Sequence, residues 1–201
     1  MNLFCSLALV LLMDVSGSVT PQHYNIQHQG LIAAFNDQNI QQSIVNQPGG
    51  VAITLIHWAS QTDTVVGWMQ IQSQQDLAQF IQRLQQVQRS DIGPFTAMGN
   101  ALSTGMNMLE TVPCQPERRI IDISADGSNN LGPNPEDIRE LAEQQLITIN
   151  GLPILSRFDP NLDQYFRENV ITSDGFLIVA NGPEDFSRAI QRKLALEIAA
   201  R

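Results

Sequence analysis

The chain has 201 residues, 43% of them hydrophobic, which is enough for one sizeable core and gives no sign of two. Its 11 Lys and Arg stand against 20 Asp and Glu, and the net charge of -9 argues against nucleic acid or an anionic membrane surface as partner, because it repels their phosphates. Only 15% of residues are charged; Gln and Asn carry much of the remaining polarity, as at 38–42 and 70–75, and the apolar residues between them make these stretches solvated helix and loop surface.

In chain order, Met1 to Met13 is an almost unbroken apolar run. It can be read as a signal-peptide core, but it lacks a basic leading segment and a small-residue cleavage site, leads straight into Asp14, and is too short to span a bilayer. A buried parallel strand over 7–13, apolar on both faces, accounts for it better, with an export signal expected upstream of Met1. A helix follows, with Thr20 as N-cap and Pro21 in its first turn. Gly49-Gly50 breaks into a strand over 51–58, and 65–68 reads as a short antiparallel edge strand. Helical spacing recurs over 76–87 and 97–109. Strand four is expected at 119–124, a helix at 135–145, strand five at 146–150, a short helix at 160–169, strand six at 176–179 and a closing amphipathic helix at 184–200. This alternation predicts a single α/β domain over 1–201: a doubly wound, mostly parallel six-stranded sheet in the order 3-2-1-4-5-6, with one antiparallel edge strand and helices on both faces.

The chemistry concentrates at predicted strand ends. Asp14, Ser16 and Ser18 place three oxygen side chains at i, i+2 and i+4 just after strand one, which is half of a cation site. Asp126 ends the apolar run of strand four, and Thr96 sits in the loop that opens the preceding helix. In an open sheet, ligands bind outside the carboxyl ends of the strands near the switch in strand order, and strands one and four are neighbours across that switch. Three hydroxyls and two carboxylates, with no Cys or His, suit Mg²⁺, Mn²⁺ or Ca²⁺ and not Zn²⁺. The bland alternatives are that Ser16 and Ser18 satisfy turn amides and that Thr96 is a helix N-cap. Asp122 is expected within strand four and outside the site, His23, His28 and His57 lack zinc-binding spacing, and Trp58 and Trp68 read as core. Asn129 and Asn130 lie on the same rim within expected reach of a ligand.

Asp14-x-Ser16-x-Ser18, Thr96 followed by Gly99-Asn-Ala-Leu102, and Asp126-Gly127 together resemble the metal-ion-dependent adhesion site of von Willebrand factor A domains. The resemblance covers nearly the whole chain, and 53–59, 118–122, 149–154 and 192–194 are similar to a bacterial subfamily of exported proteins whose role is uncharacterised. It implies that Ser16, Ser18 and Thr96 bind the ion directly and that Asp14 and Asp126 act mainly through water. The ion is then under-neutralised, and an Asp or Glu carboxylate of a protein partner fills its open position. The expected function is divalent-cation-dependent protein binding in a secreted or periplasmic protein that is not an enzyme. Two alternatives stand beside it. One is the same fold with a purely structural cation and a scaffolding role. The other is a Mg²⁺-dependent phosphatase of the haloacid-dehalogenase type, suggested by Asp14-x-Ser16 and 125–130; there the second acid is replaced by Ser16, and the chain's one lysine, Lys193, lies beyond the acidic motif.

Cys5 precedes strand one and Cys114 precedes strand four. If those strands are adjacent and parallel, both thiols fall at the amino-terminal edge of the sheet, where a disulfide can form if the Cα atoms lie within about 7 Å. The other reading is two unrelated reduced thiols. A bridge implies an oxidising compartment.

Overall fold

Ten consecutive buried residues, Cys5–Asp14, form the centre of the molecule in a computed structural model that describes residues 3–199. They belong to β1 (Leu3–Asp14), which pairs in parallel with β2 (Val51–Trp58) on one side and β4 (Cys114–Ala125) on the other. β3 (Thr62–Ile71) adds antiparallel to β2, and β5 (Thr148–Pro153) adds parallel to β4, giving the order β3-β2-β1-β4-β5.

The period of two along β1 divides its side chains between two cores. Leu7, Leu9, Leu11 and Met13 face one cluster, where α1 (Pro21–Asn36), α2 (Gln38–Val45), α3 (Gln74–Gln86) and α7 (Phe186–Ala199) contribute Phe35, Ile44, Phe80 and Leu194. Ala8, Val10 and Leu12 face the other, where α4 (Met98–Glu110), α5 (Pro135–Gln144) and α6 (Leu162–Asn169) contribute Leu102, Ala142 and Phe166. Helices on both faces are why β1 and β2 are buried on both sides and mostly apolar instead of alternating. Each fully buried Leu, Ile or Phe stabilises the fold by about 1.5–3 kcal/mol.

The sheet has five strands, not the six expected. Residues 176–180 do run beside β5, but only as isolated bridges, Gly151 with Leu177 and Ile154 with Ala180. Gly151 N–H donates to the Phe176 carbonyl and Leu155 N–H to that of Ala180, whereas Pro153 between them has no N–H to give, so the ladder is interrupted. β5 also starts later than 146, because Leu146 is left-handed (φ 56°) in the turn after α5. The edge strand is longer than 65–68 and carries register shifts between Ile53 and Ile56 of its partner. α2 was not separable from loop surface in the Gln-rich stretch; its only buried side chains are Ile40 and Ile44, one turn apart. The expected helix end at Ala200 lies outside the described residues.

Thr20 caps α1 by accepting from the His23 N–H, as its sequence position suggests. Gly49 and Gly50, both at positive φ, turn the chain from α2 into β2 where a Cβ would collide with the Phe4 and Ile71 carbonyls. At the same edge Cys5 and Cys114 form a disulfide with a Cα separation of 5.8 Å.

One buried polar cluster interrupts the apolar layers. Lys193 of α7, fully buried, lies 2.6 Å from Asp122 Oδ1 of β4 and 2.5 Å from Glu197 Oε1. Asn150 of β5 donates to Glu197 Oε1 at 2.8 Å and accepts from Phe176 N–H. One ammonium cannot neutralise two carboxylates in a dry interior, and burial, then the charge of Asp122, push Glu197 well above the usual carboxylate range. Asp122 is therefore bound to the helix layer and takes no part in the rim.

Candidate functional site

β1 and β4 end side by side, with Met13 paired to Ser124, so the loops that follow them leave from neighbouring positions on the same edge. Asp14 is fully buried at the strand end. Its Oδ1 accepts the Ser16 N–H at 2.7 Å and its Oδ2 the Asp126 N–H at 3.4 Å, so one carboxylate gathers both loops. Ser16 Oγ and Ser18 Oγ are 3.2 Å apart, and the exposed Ser18 donates a short bond to Asp126 Oδ1. The turn is closed by Val19 N–H on the Ser16 carbonyl and tied to the α3–α4 loop by Gly17 N–H on the Pro94 carbonyl.

Thr96 comes to the same rim by a different route. Its N–H donates to Asn130 Oδ1 at 2.8 Å while its carbonyl accepts the Asn130 N–H, which staples the segment before α4 to the segment after Asp126. Thr96 is not the helix N-cap; that position is Ala97. Thr96 is buried as a residue, and its hydroxyl makes no hydrogen bond among the described residues. Gly99 lets the first turn of α4 approach the Pro133 carbonyl, where a Cβ has no room. Asn129 accepts the Gly99 N–H at 3.4 Å and donates to that same carbonyl. The two asparagines thus brace the Thr96 segment through its backbone.

Arg89 was not legible as a site residue. Its Nη2 donates to the Val15 and Ser16 carbonyls at 2.9 and 3.1 Å and holds the first loop from behind. No motif surrounds it, and only the fold brings the loop after α3 to the end of β1. Beside it Ser90 donates to Asp63 and pairs with Nδ1 of buried His57, whose pKa burial lowers to about 4. None of the three histidines lies on the rim loops, Trp58 is fully buried, and Trp68 packs half-buried with its indole N–H on the Met108 carbonyl.

Burial, then the neighbouring Asp126 charge, raise the Asp14 carboxyl to about 7, and burial raises Asp126 as well. Two desolvated carboxyls joined through hydroxyls are hard oxygen donors, with only His23 as a nearby balancing charge on Asp126, and Asp14, Ser16, Ser18, Thr96 and Asp126 could hold a divalent cation there. Among the described residues no group of three or more His, Cys, Asp or Glu side chains is placed to hold a metal ion, so any such site is hydroxyl-rich.

A family match over residues 4–201 decides the assignment. The chain belongs to the DUF1194 family. Its description is "Protein of unknown function". No curated protein sequence matches the chain. Among solved structures, the DUF1194 chain superposes on proximal thread matrix protein 1 of the mussel byssus, in a form with a zinc-occupied metal-ion-dependent adhesion site, with a TM-score of 0.70 and 16% identity over 96% of this chain and 46% of that one. It also matches a von Willebrand factor type A protein of Catenulispora acidiphila (TM-score 0.63, 13% identity, 96% of this chain and 43% of that one). A third match is the conserved hypothetical protein BatB of Bacteroides thetaiotaomicron (TM-score 0.62, 14% identity, 98% and 100% covered). The DUF1194 chain spans less than half the length of the first two proteins. At these identities the likeness establishes a von Willebrand factor A fold.

Proposed function

We propose that the chain is a divalent-cation-dependent protein-binding module, not an enzyme, whose cation is held by Asp14, Ser16, Ser18, Thr96 and Asp126. The observation that carries this reading is the hydrogen-bonded chain from Asp14 through Asp126 to Ser18 and Ser16, which gathers hard oxygens of two loops around a buried carboxyl of raised pKa. A bound Mg²⁺, or else Mn²⁺ or Ca²⁺, would supply an open coordination position to an Asp or Glu carboxylate of a partner protein. The oxygen-only donor set favours these ions, and the zinc-occupied site of the mussel protein makes Zn²⁺ the ion to compare them with. Asp14 and Asp126 balance the charge, Arg89 and Asn130 hold the two loops in place, and Ser16, Ser18 and Thr96 present their hydroxyls. The disulfide supports a secreted or periplasmic location.

Calorimetry with Mg²⁺, Mn²⁺, Ca²⁺ and Zn²⁺ tests the site. One divalent ion should bind per chain, and Thr96→Ala should weaken it at least about tenfold, as expected for loss of about 1.4 kcal/mol, with an unchanged circular dichroism spectrum. Equal affinity of wild type and Thr96→Ala would refute the ligand assignment. Partner capture from the native envelope fraction should then be lost with chelator and restored by the ion that calorimetry selects; capture indifferent to chelator would leave a structural cation and a scaffolding role.

A further inference from the structure

Three large apolar side chains are exposed on the loops that frame the candidate site. Phe95, 53% exposed, immediately precedes Thr96. Leu131, 39% exposed, immediately follows Asn130, the residue bonded to Thr96. Phe158, 83% exposed, lies next to Asp159, whose carboxylate accepts both the N–H and the hydroxyl of Ser128, two residues after Asp126. Three different loops therefore each bring an apolar group to the carboxyl end of the sheet, and each is tied by hydrogen bonds to the loop that carries a candidate ligand. Singly exposed apolar residues are ordinary, but three on the loops that frame one site have the composition of a contact surface.

We infer that these residues recognise a protein segment with a single Asp or Glu flanked on both sides by bulky apolar side chains. The inference rests on the proposed cation site and specifies its partner. Charge decides against an acidic run: the chain carries a net charge of -9, and the rim itself holds Asp126 and Asp159. The rim's complementary charge is small. Arg157 lies over the Phe158 ring, 4.6 Å from its centroid, and offers one exposed guanidinium beside the apolar group. One carboxylate is matched by the cation and Arg157; further acids would meet like charge. Apolar flanks, in contrast, would cover Phe95, Leu131 and Phe158 and exclude water from the ionic contact at their centre, which strengthens it.

The test uses the whole chain and a phage-displayed peptide library with a fixed central Asp and random flanks, panned in Mg²⁺. Selected peptides should be enriched in Leu, Ile, Phe or Trp at the flanks. The variant Phe95→Ser/Phe158→Ser, altered only at exposed positions, should bind the selected peptides more than about tenfold more weakly while its calorimetric affinity for Mg²⁺ stays unchanged. Cation binding with flanks that are polar, acidic or unselected, or a variant that binds the selected peptides as well as wild type, overturns this inference and leaves the cation site standing. Wild-type protein that binds no divalent cation in calorimetry overturns the underlying reading, and the inference with it.

Discussion

Replacing Asp14 with Asn separates a carboxylate kept for a cation from one that merely braces two loops. In the folded chain the Asp14 carboxyl is fully buried and its pKa stands at about 7 instead of the ordinary 3.8. A carboxyl whose pKa is raised on folding costs nothing below its unfolded value, and stability is then lost as pH rises toward the folded value. Three units correspond to about 4 kcal/mol, reached above pH 7. Asn has nearly the same shape and removes this penalty. It keeps an acceptor for the Ser16 N–H at 2.7 Å but loses the longer bond from Asp126 at 3.4 Å, a loss of about 1 kcal/mol. In chelator, Asp14→Asn should therefore be more stable than wild type by about 3 kcal/mol at pH 8, whereas at pH 4 the relieved penalty is nearly gone and the lost bond should leave the variant slightly the less stable, by up to about 1 kcal/mol. Urea unfolding at a series of pH values measures it. Added Mg²⁺ at a hundredfold excess over its dissociation constant should raise wild-type stability by about 2.7 kcal/mol and leave the variant unmoved. A variant less stable than wild type in chelator at pH 8 would show that the carboxylate is a structural acceptor, and the cation argument would lose its basis.

Glu197→Gln should abolish part of the loss of stability between about pH 4.5 and about pH 8: the raised pKa of Glu197 means that wild-type stability falls as pH rises through this window, so thermal melts of the two proteins should diverge progressively across it, and parallel curves would exclude the sharing of one ammonium by two acids. Arg89→Ala removes two charge-assisted bonds to the Val15 and Ser16 carbonyls and should lower cation affinity about tenfold or more while the fold persists; calorimetry that finds no change would detach Arg89 from the site. Replacing Cys5 and Cys114 by Ser should cost about 2–4 kcal/mol in chemical unfolding, and the native protein should resist alkylation until reduced; two freely alkylated thiols would contradict the bridge.

The candidate site was legible where its signal was local. Asp14, Ser16 and Ser18 stand in one turn after an apolar run, and Asp126 ends another, so strand-end position alone brings them together once β1 and β4 are neighbours. Thr96 needed the spacing of the helix that follows it. Arg89 had no such signal, because its partners are backbone carbonyls that any sequence supplies, and the bracing role of Asn130 had none because its partner is a backbone N–H 34 positions away. The sixth strand failed for a reason residing in its neighbour: 176–179 has the apolar composition of a strand, but Pro153 on β5 withholds the donor that would complete the ladder. The role of Lys193 has no signal in the sequence, since a buried partner on β4 and another on α7 become visible only when the helix is packed.

The disulfide fixes something other than stability. Adjacent parallel strands can in principle slip past one another, and a slip of one residue shifts one against the other by about 3.3 Å. Asp14 and Asp126 leave opposite members of such a pair, while a coordination sphere tolerates displacements of only about 0.5 Å. Cys5 and Cys114 lock the same two strands at their far end. The bridge therefore works as a gauge block, setting covalently, from across the whole height of the sheet, the level at which the two carboxylates meet.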